Sequence, residues 1–476
     1  MRTKTAGNRK PTRPSALLKS ALADRPTVAE RLAAGKQLRS RVPLSAHAEY
    51  KPTSKRKDPI AIIEAQARSR LPQLISIRHA RMLTSPFAFL RGSAAVMMAD
   101  IAPAPLTGLR VQSCGDMHVS NFGVFASAER NLVFSINDFD ETLPGSWEWD
   151  VKRLAASAVV CARFLGGDKA DCEAAARRAV KSYRKRMQGY ASMGYLDLWY
   201  ERIDGGAVLE ALSPRARKRA EKIMAKARGR THLQVLDKMA DLVDDKLRIV
   251  EDRPLIVREI KTQSGRPIVE SLDQFLQHYM ESLTWDRRNL VSRYQILDVA
   301  RKVVGVGSVG TRCWVVLLKG AHDDDPLFLQ VKEAQASVMA PYAKSVLPYA
   351  NEGRRVVVGQ RMIQGAPDIF LGWFEQDKRH YYVRQLRDMK GGAEFVPGQN
   401  RLSNFIEYCG LCGWALALAH AKSGDAAMLA GYCGRSDALD EAMASFAFAY
   451  ADQTERDHAT MAKAAKSGRI EVASEF

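Results

Sequence analysis

Apolar positions recur at helical spacing over much of this chain and at strand spacing in shorter stretches. Ile60, Ile63, Ala67, Leu71 and Leu74 predict a helix over Pro59 to Arg81, and Phe87 to Ala99 predicts another. Val151, Leu154, Ala155, Ala158, Val159 and Ala162 share one face of a further helix, which Gly166-Gly167 ends. Helices are expected over Ala170 to Gly189, Pro214 to Arg228 and Thr231 to Val250, which leaves the middle third without strands. Leu402, Phe405, Ile406, Cys409, Cys412, Leu416 and Ala419 line up over Leu402 to Lys422, and a last helix is expected over Ala438 to Lys466.

Short β-type runs, Leu109 to Gln112 and Asn131 to Ile136, flank a polar loop. VVGVGSVGTRCWVVLLKG reads as strand, glycine turn, strand, and PLFLQVKEA as another strand after the charged turn AHDDD. RRVVVGQRMIQG and HYYVRQLRDM read as further strands, so an antiparallel sheet is expected over Val303 to Met389. No repeat of about 20 to 50 residues is visible. The organisation expected is a basic, largely extended segment over 1–58 with a helical island near Val28 to Leu38, a loop-bearing helical lobe over 59–300, a β lobe over 301–400 and closing helices over 401–476. The fold class is therefore α+β.

Composition changes the picture in four ways. Apolar content of 46% in 476 residues predicts a buried core rather than disorder. No apolar run approaches the ~20 residues a bilayer span needs, and the basic N-terminus lacks the apolar stretch of a secretory signal, so a cytoplasmic location is expected. The seven scattered cysteines argue against a disulfide framework, and the lone Cys409-x-x-Cys412 falls in a helical pattern where core packing is expected. The net charge of +19 attracts polyanions, although much of it lies in the tail and in the cluster Lys51 to Lys57, where a solvated arm is the plain reading. Basic and aromatic residues are not interleaved as in single-strand binders, which sets nucleic acid aside as a partner.

The densest chemistry lies in CGDMHVSNFGVF, Cys114 to Phe125, and SINDFDE, Ser135 to Glu141. Asp116 and Asn121 stand five residues apart, as do the Asp and Asn of the kinase catalytic loop H-R-D-L-x-x-x-N. There the Asp takes the proton of an attacking hydroxyl and the Asn offers a neutral oxygen to Mg²⁺. Asp138, in Asn137-Asp138-Phe139-Asp140, takes the place of the D-F-G aspartate, with Asp140 where Gly is usual. Gly115-Asp116-Met117-His118-Val119-Ser120-Asn121 also resembles the G-D-x-H-x-x-N phrase of aminoglycoside phosphotransferase and choline kinase enzymes, and Asp150 is similar to their later Asp at a helix head. The alternative is a polar turn closed by its own Asx hydrogen bonds.

Gly305-Val306-Gly307-Ser308-Val309-Gly310 lies between predicted strands, the context of a glycine loop over ATP phosphates, and Lys332 on the next strand resembles the lysine that holds those phosphates. Glu333 and Glu352 are both candidates for its acidic partner. Kinases place these parts before the catalytic loop. The reverse order here implies a circularly permuted, two-lobed kinase-like fold.

SPFAFLRGSAAVMMADIA, CGDMHVSNFG, NDFDETLPGSWEWDVKRLAAS, GVGSVGTRCWVVLL, LQVKEA, GQRMIQGAPDIFLGW and VRQLRDMKG together resemble the bacterial domain-of-unknown-function 2252 family, from about Arg31 to Gly424. Ser135 departs from its phrase, where an Asp is expected. The resemblance implies a kinase-like protein of unestablished substrate.

These readings converge on an ATP- and Mg²⁺-dependent phosphotransferase acting on a hydroxyl of a small molecule or protein. Asp116 and His118 are the catalytic candidates, Asn121, Asp138 and Asp140 the metal ligands, and Gly305, Gly307, Ser308, Gly310 and Lys332 the nucleotide-binding residues. A nucleotide-binding pseudoenzyme and an AMP transferase are the alternatives. Arg91, Arg384, Gln385 and Asp388 fit either phosphate clamping or ion-paired scaffold, and His420 a structural role. The acceptor and the oligomeric state are not legible.

Overall fold

The structure, a computed structural model, describes residues 21–474 except 230–235, 237–238, 244–245, 259–267, 304, 323, 344–348, 387–388 and 400. It is a mixed α+β protein with antiparallel sheets. The largest sheet has six strands in the order Gly372–Gln376, Arg379–Gln385, Pro326–Ala334, Cys313–Lys319, Gln295–Lys302 and Ile256–Val257. The run WVVLL is apolar at successive positions because both faces of this sheet are covered. Val316 and Leu318 pack toward Phe275, Tyr279 and Phe374, while Val315 and Leu317 pack toward Met239 and Ile249.

The largest core lies among the helices Trp147–Phe164, Lys169–Tyr190 and Leu402–Ser423 and the small sheet of Phe122–Ala126 and Leu132–Ile136. Cys409 and Cys412 are buried in it, as the helical pattern required. Leu402–Ser423 is also long and apolar enough to cross a membrane by length and composition, with 67% of its apolar window buried inside the protein.

Several expectations are corrected. Pro59 to Arg81 is two helices, Pro59–Ala67 and Ile75–Leu83, because Pro72 forces Leu71 into extended backbone. Phe87 to Ala99 likewise divides at Ser93 into Pro86–Gly92 and Ala94–Ile101. The described part of Thr231 to Val250 holds a hairpin, Ala240–Val243 with Lys246–Ile249, so the middle third does contain strands. RRVVVGQRMIQG forms the helix Glu352–Ile363. Its valines suggested a strand, but Val356, Val357, Gln360 and Ile363 bury one helical face and the Asn351 side chain caps the first turn. The sheet begins at Ile256, earlier than expected, and strand Phe122–Ala126 was masked by Gly123.

The N-terminal segment is not a detached arm where it is described. Val28–Gln37 packs on the helix Ala426–Cys433 so closely that a Cβ at Gly35 would lie 2.0 Å from the Met428 carbonyl oxygen. Arg56, within the basic cluster, bridges Asp100 at 2.8 Å and Asp457 at 2.6 Å.

Helix Leu402–Ser423 crosses Lys169–Tyr190 at Gly413, where an added Cβ would meet the Ala179 carbonyl oxygen at 2.0 Å. Gly189 faces open space. Gly413→Ala is therefore expected to cost about 1–3 kcal/mol through overpacking, and Gly189→Ala to gain up to about 1 kcal/mol through helix propensity. Urea unfolding checks both. Equal effects would contradict the crossing as described.

Candidate functional site

The polar loop follows strand Arg110–Ser113 and runs through a 3-10 turn, Val119–Asn121, into strand Phe122–Ala126. Gly115 sits at φ 78° with Glu141 and Met339 packed against it, so a side chain is excluded on both counts. Asp150, in the first turn of helix Trp147–Phe164, faces back into the loop. Its carboxylate accepts the backbone N–H groups of Cys114 at 2.6 Å and Gly115 at 2.9 Å. His420 supports Asp150 at 3.2 Å and is itself paired with the Tyr183 hydroxyl at 3.0 Å. Asp150 and His420 thus shape the loop.

Asp116 Oδ1 accepts Arg153 Nε at 2.8 Å and also Arg153 Nη2. Asn121 donates Nδ2 to the Asp116 carbonyl at 2.6 Å, leaving its amide oxygen for another partner. His118 Nε2 lies 3.8 Å from Asp116 Oδ2, beyond a hydrogen bond, and His118 Nδ1 is buried without a partner among the described residues. Burial, reinforced by Arg91 and Arg153, holds the His118 imidazole neutral by pushing its pKa well down. Burial raises the Asp116 carboxyl above its ordinary range against the opposing pull of Arg153.

The acidic segment is joined to the loop through the Asn137 N–H and the Asn121 carbonyl at 2.8 Å. Phe139 turns into the core, leaving Asp138 and Asp140 on the cleft. Arg355 straps this segment: it donates to the carbonyls of Thr142 at 2.5 Å, Asp140 at 2.9 Å and Gln335 at 2.7 Å.

The acid that pairs with Lys332 is Asp140, at 2.5 Å, and neither Glu333 nor Glu352. Glu333 pairs with Arg312 at 3.1 Å and Arg379 at 3.3 Å, and Glu352 with Arg355. Asp140 also accepts the Tyr382 hydroxyl at 2.5 Å and Ser308 Oγ at 3.2 Å. Register explains Tyr382, which lies directly across the ladder from Lys332.

The glycine turn connects strands Gln295–Lys302 and Cys313–Lys319, as expected. It rests on the helical segment: Arg81 Nη1 donates to the Gly305 carbonyl at 2.6 Å, Arg70 to that of Val309, and the Leu71 N–H to that of Gly310 at 2.8 Å. Gly310, at φ 90°, lies over the Arg70 side chain.

One cleft, with a cavity of about 120 Å³, is lined by Asp116, His118, Asn121, Asp138, Asp140, Gly305, Gly307 and Ser308. Lys332 reaches its edge through Asp140, and Gly310 lies at the back of the turn. Arg91 lines the cleft, Arg384 is held by Gln330 at 2.9 Å and the Asn137 carbonyl at 3.3 Å, and Asp388 lies outside the described residues.

The chain belongs to the DUF2252 family. The family model, described as an uncharacterized protein conserved in bacteria, matches residues 70–464, so the likeness starts later than Arg31 and takes in the last helix. Comparison with curated proteins and with solved structures finds no match.

Sequence reasoning missed Arg153, Arg355, Tyr382, Arg70 and Arg78. Arg153 carried a usable signal, standing three residues after Asp150 on an otherwise apolar helical face. The others depend on pairings between distant segments.

A double-mutant cycle tests the central pair. Lys332→Met or Asp140→Asn alone is expected to cost about 3–5 kcal/mol, since each strands a buried partner. The double variant should recover at least about 1 kcal/mol relative to the sum. Lys332 and Tyr382 hold Asp140 down to about 2 against the cost of burial. Its stabilisation is therefore complete above the ordinary value of 3.8 and is lost as pH falls from there through 2. Denaturant unfolding between pH 2 and 7 reads both effects, and strict additivity would refute the pair's importance.

Proposed function

We propose that this protein is an ATP- and Mg²⁺-dependent phosphotransferase with a circularly permuted, kinase-like arrangement of two lobes. The observation that carries this reading is the convergence of the Asp116–Asn121 loop, the Asp138–Asp140 segment and the glycine turn on one cleft. Further support comes from chain order within the sheet region. A glycine turn between two strands, a lysine on the third and a helix after it follow the kinase sequence of parts.

The donor set fits the groups this reading requires. Lys332 and the glycine turn offer a phosphate site on the sheet wall, where a phosphate would compete with Asp140 for the ammonium. Among the described residues, Asp138 accepts only the Asp140 N–H, at 3.2 Å, so one carboxylate oxygen is open on the cleft that Asn121 also lines. One or two protein carboxylates suffice for magnesium. Asp140 is already engaged, so Asn121 and Asp138 would hold the metal. When bound, ATP supplies the phosphoryl group and Mg²⁺ neutralises its charge.

The chain's own residues then have defined tasks. Arg153 fixes Asp116 through Oδ1, leaving Oδ2 to accept the proton of the acceptor hydroxyl. The raised affinity of Asp116 for a proton moves it toward the working pH of a general base. Neutral His118 bounds that end of the cleft without adding charge. The loose transition state of phosphoryl transfer makes positioning and charge compensation the main sources of rate.

Calorimetric titration with ATP and Mg²⁺, together with an ATP-consumption assay, tests the reading. Lys332→Met is expected to weaken ATP binding about tenfold or more. Asp116→Asn is expected to leave binding nearly unchanged and to lower turnover about 10²- to 10⁴-fold. Undiminished turnover in Asp116→Asn, or no ATP binding by the wild type, would refute it. Product mass distinguishes phosphoryl from adenylyl transfer.

A further inference from the structure

The helical wall of the cleft carries more positive charge than its acids answer. Arg70, Arg78 and Arg91 come from the segment that supports the glycine turn, and all three line the cleft. Arg78 is 1% exposed. Its Nη2 donates to the Gly92 carbonyl at 2.8 Å and to Gln66 Oε1 at 3.4 Å, while Nε and Nη1 are buried and find no partner among the described residues. Arg91 Nε and Arg70 Nε are likewise buried and unpartnered among the described residues. Arg91 leans on the Phe87 ring at 5.8 Å, and Arg70 Nη1 is spent on the Val309 carbonyl.

Of the five acids among the described residues that line the cleft, three are held by other cations, while Asp138 and Glu141 are not. Asp116 is held by Arg153, Asp140 by Lys332, and Glu333 by Arg312 and Arg379. Glu141 accepts the Val338 N–H at 2.7 Å. A guanidinium does not shed its proton in a protein, so burial cannot be relieved by neutralisation. A buried charge with open donors is strongly unfavourable unless an anion completes it.

We propose that Arg78 and Arg91, backed by Arg70, form a phosphate site for the acceptor, which is therefore a phosphorylated molecule bearing a free hydroxyl. Three guanidiniums match a dianionic phosphate better than a single carboxylate. Position favours the acceptor over the nucleotide. Arg153 Nη2 donates both to Asp116 and, at 2.8 Å, to the carbonyl of Leu90, the residue before Arg91, whereas Lys332 meets Asp140 at 2.5 Å. Arg91 thus lies at the base end of the cleft and Lys332 at the other. Only the assignment to the acceptor rests on the phosphotransferase reading; the anion site does not.

The probe is inorganic phosphate, titrated calorimetrically into the full chain at constant ionic strength. Wild-type protein is expected to bind it, and Arg91→Gln to weaken binding about tenfold or more. Arg78→Gln should do the same, but Arg91, which is only half-buried, carries the test if Arg78→Gln fails to fold. Lys332→Met should keep phosphate binding while losing ATP. Phosphate should also bind protein saturated with a non-hydrolysable ATP analogue and Mg²⁺. No phosphate binding, binding indifferent to Arg91→Gln, or competition with the analogue would overturn the proposal. Phosphate binding that depends on Arg91 in a protein that binds no ATP would leave the anion site standing and remove the phosphotransferase reading instead.

Discussion

A single carboxylate ties the parts of this cleft together. Asp140 accepts from Lys332 at 2.5 Å, from the Tyr382 hydroxyl at 2.5 Å and from Ser308 at 3.2 Å. Those donors belong to two strands of the large sheet and to the glycine turn, while Asp140 belongs to the polar segment after strand Leu132–Ile136. Lys332 is 2% exposed, so its ammonium has exchanged nearly all its water for these contacts. Were the carboxylate removed, the sheet would hold an uncompensated charge at its centre. On the proposed reading, the same contact places an internal anion where a phosphate would bind, so ligand and Asp140 would share one cation.

The surrounding ionic groups divide by what they hold. Asp150 fixes the loop backbone through two N–H groups, and Arg355 fixes the acidic segment through three carbonyls. Both act on main chain, and neither has capacity left for a ligand that the cleft requires. Asp138, the Asn121 amide oxygen and the arginines of the helical wall are different: they are positioned by neighbours yet retain open valence. Rigid backbone with unsatisfied side chains is the arrangement a binding site needs, because preorganisation lowers the ordering cost on association.

The glycine turn shows how packing alters the meaning of a motif. As a sequence it reads as a free flap between strands. In the fold its carbonyls are taken by Arg70, Arg81 and the Leu71 N–H, and Gly310 lies over the Arg70 stem. The flap therefore has a floor, built from helices far away in the chain. Those helices bring the arginines into the cleft.

The long helices and the Lys332 strand were legible because their signals are local. Periods of 3.6 and 2 follow from backbone geometry, so Leu402–Ser423, Ala438–Lys466 and Pro326–Ala334 announce themselves. The spacing of Asp116, Asn121 and Asp138 was equally visible, since it lies within one loop and its neighbouring strand. Where propensity and packing disagreed, packing won: the valines of Glu352–Ile363 bury a helical face. Which acid meets Lys332, and which arginines stand unanswered, was decided only by tertiary structure. Those outcomes depend on strand register and on helix contacts between distant segments. Charge and burial at such sites belong to the assembled fold and to no single stretch of sequence.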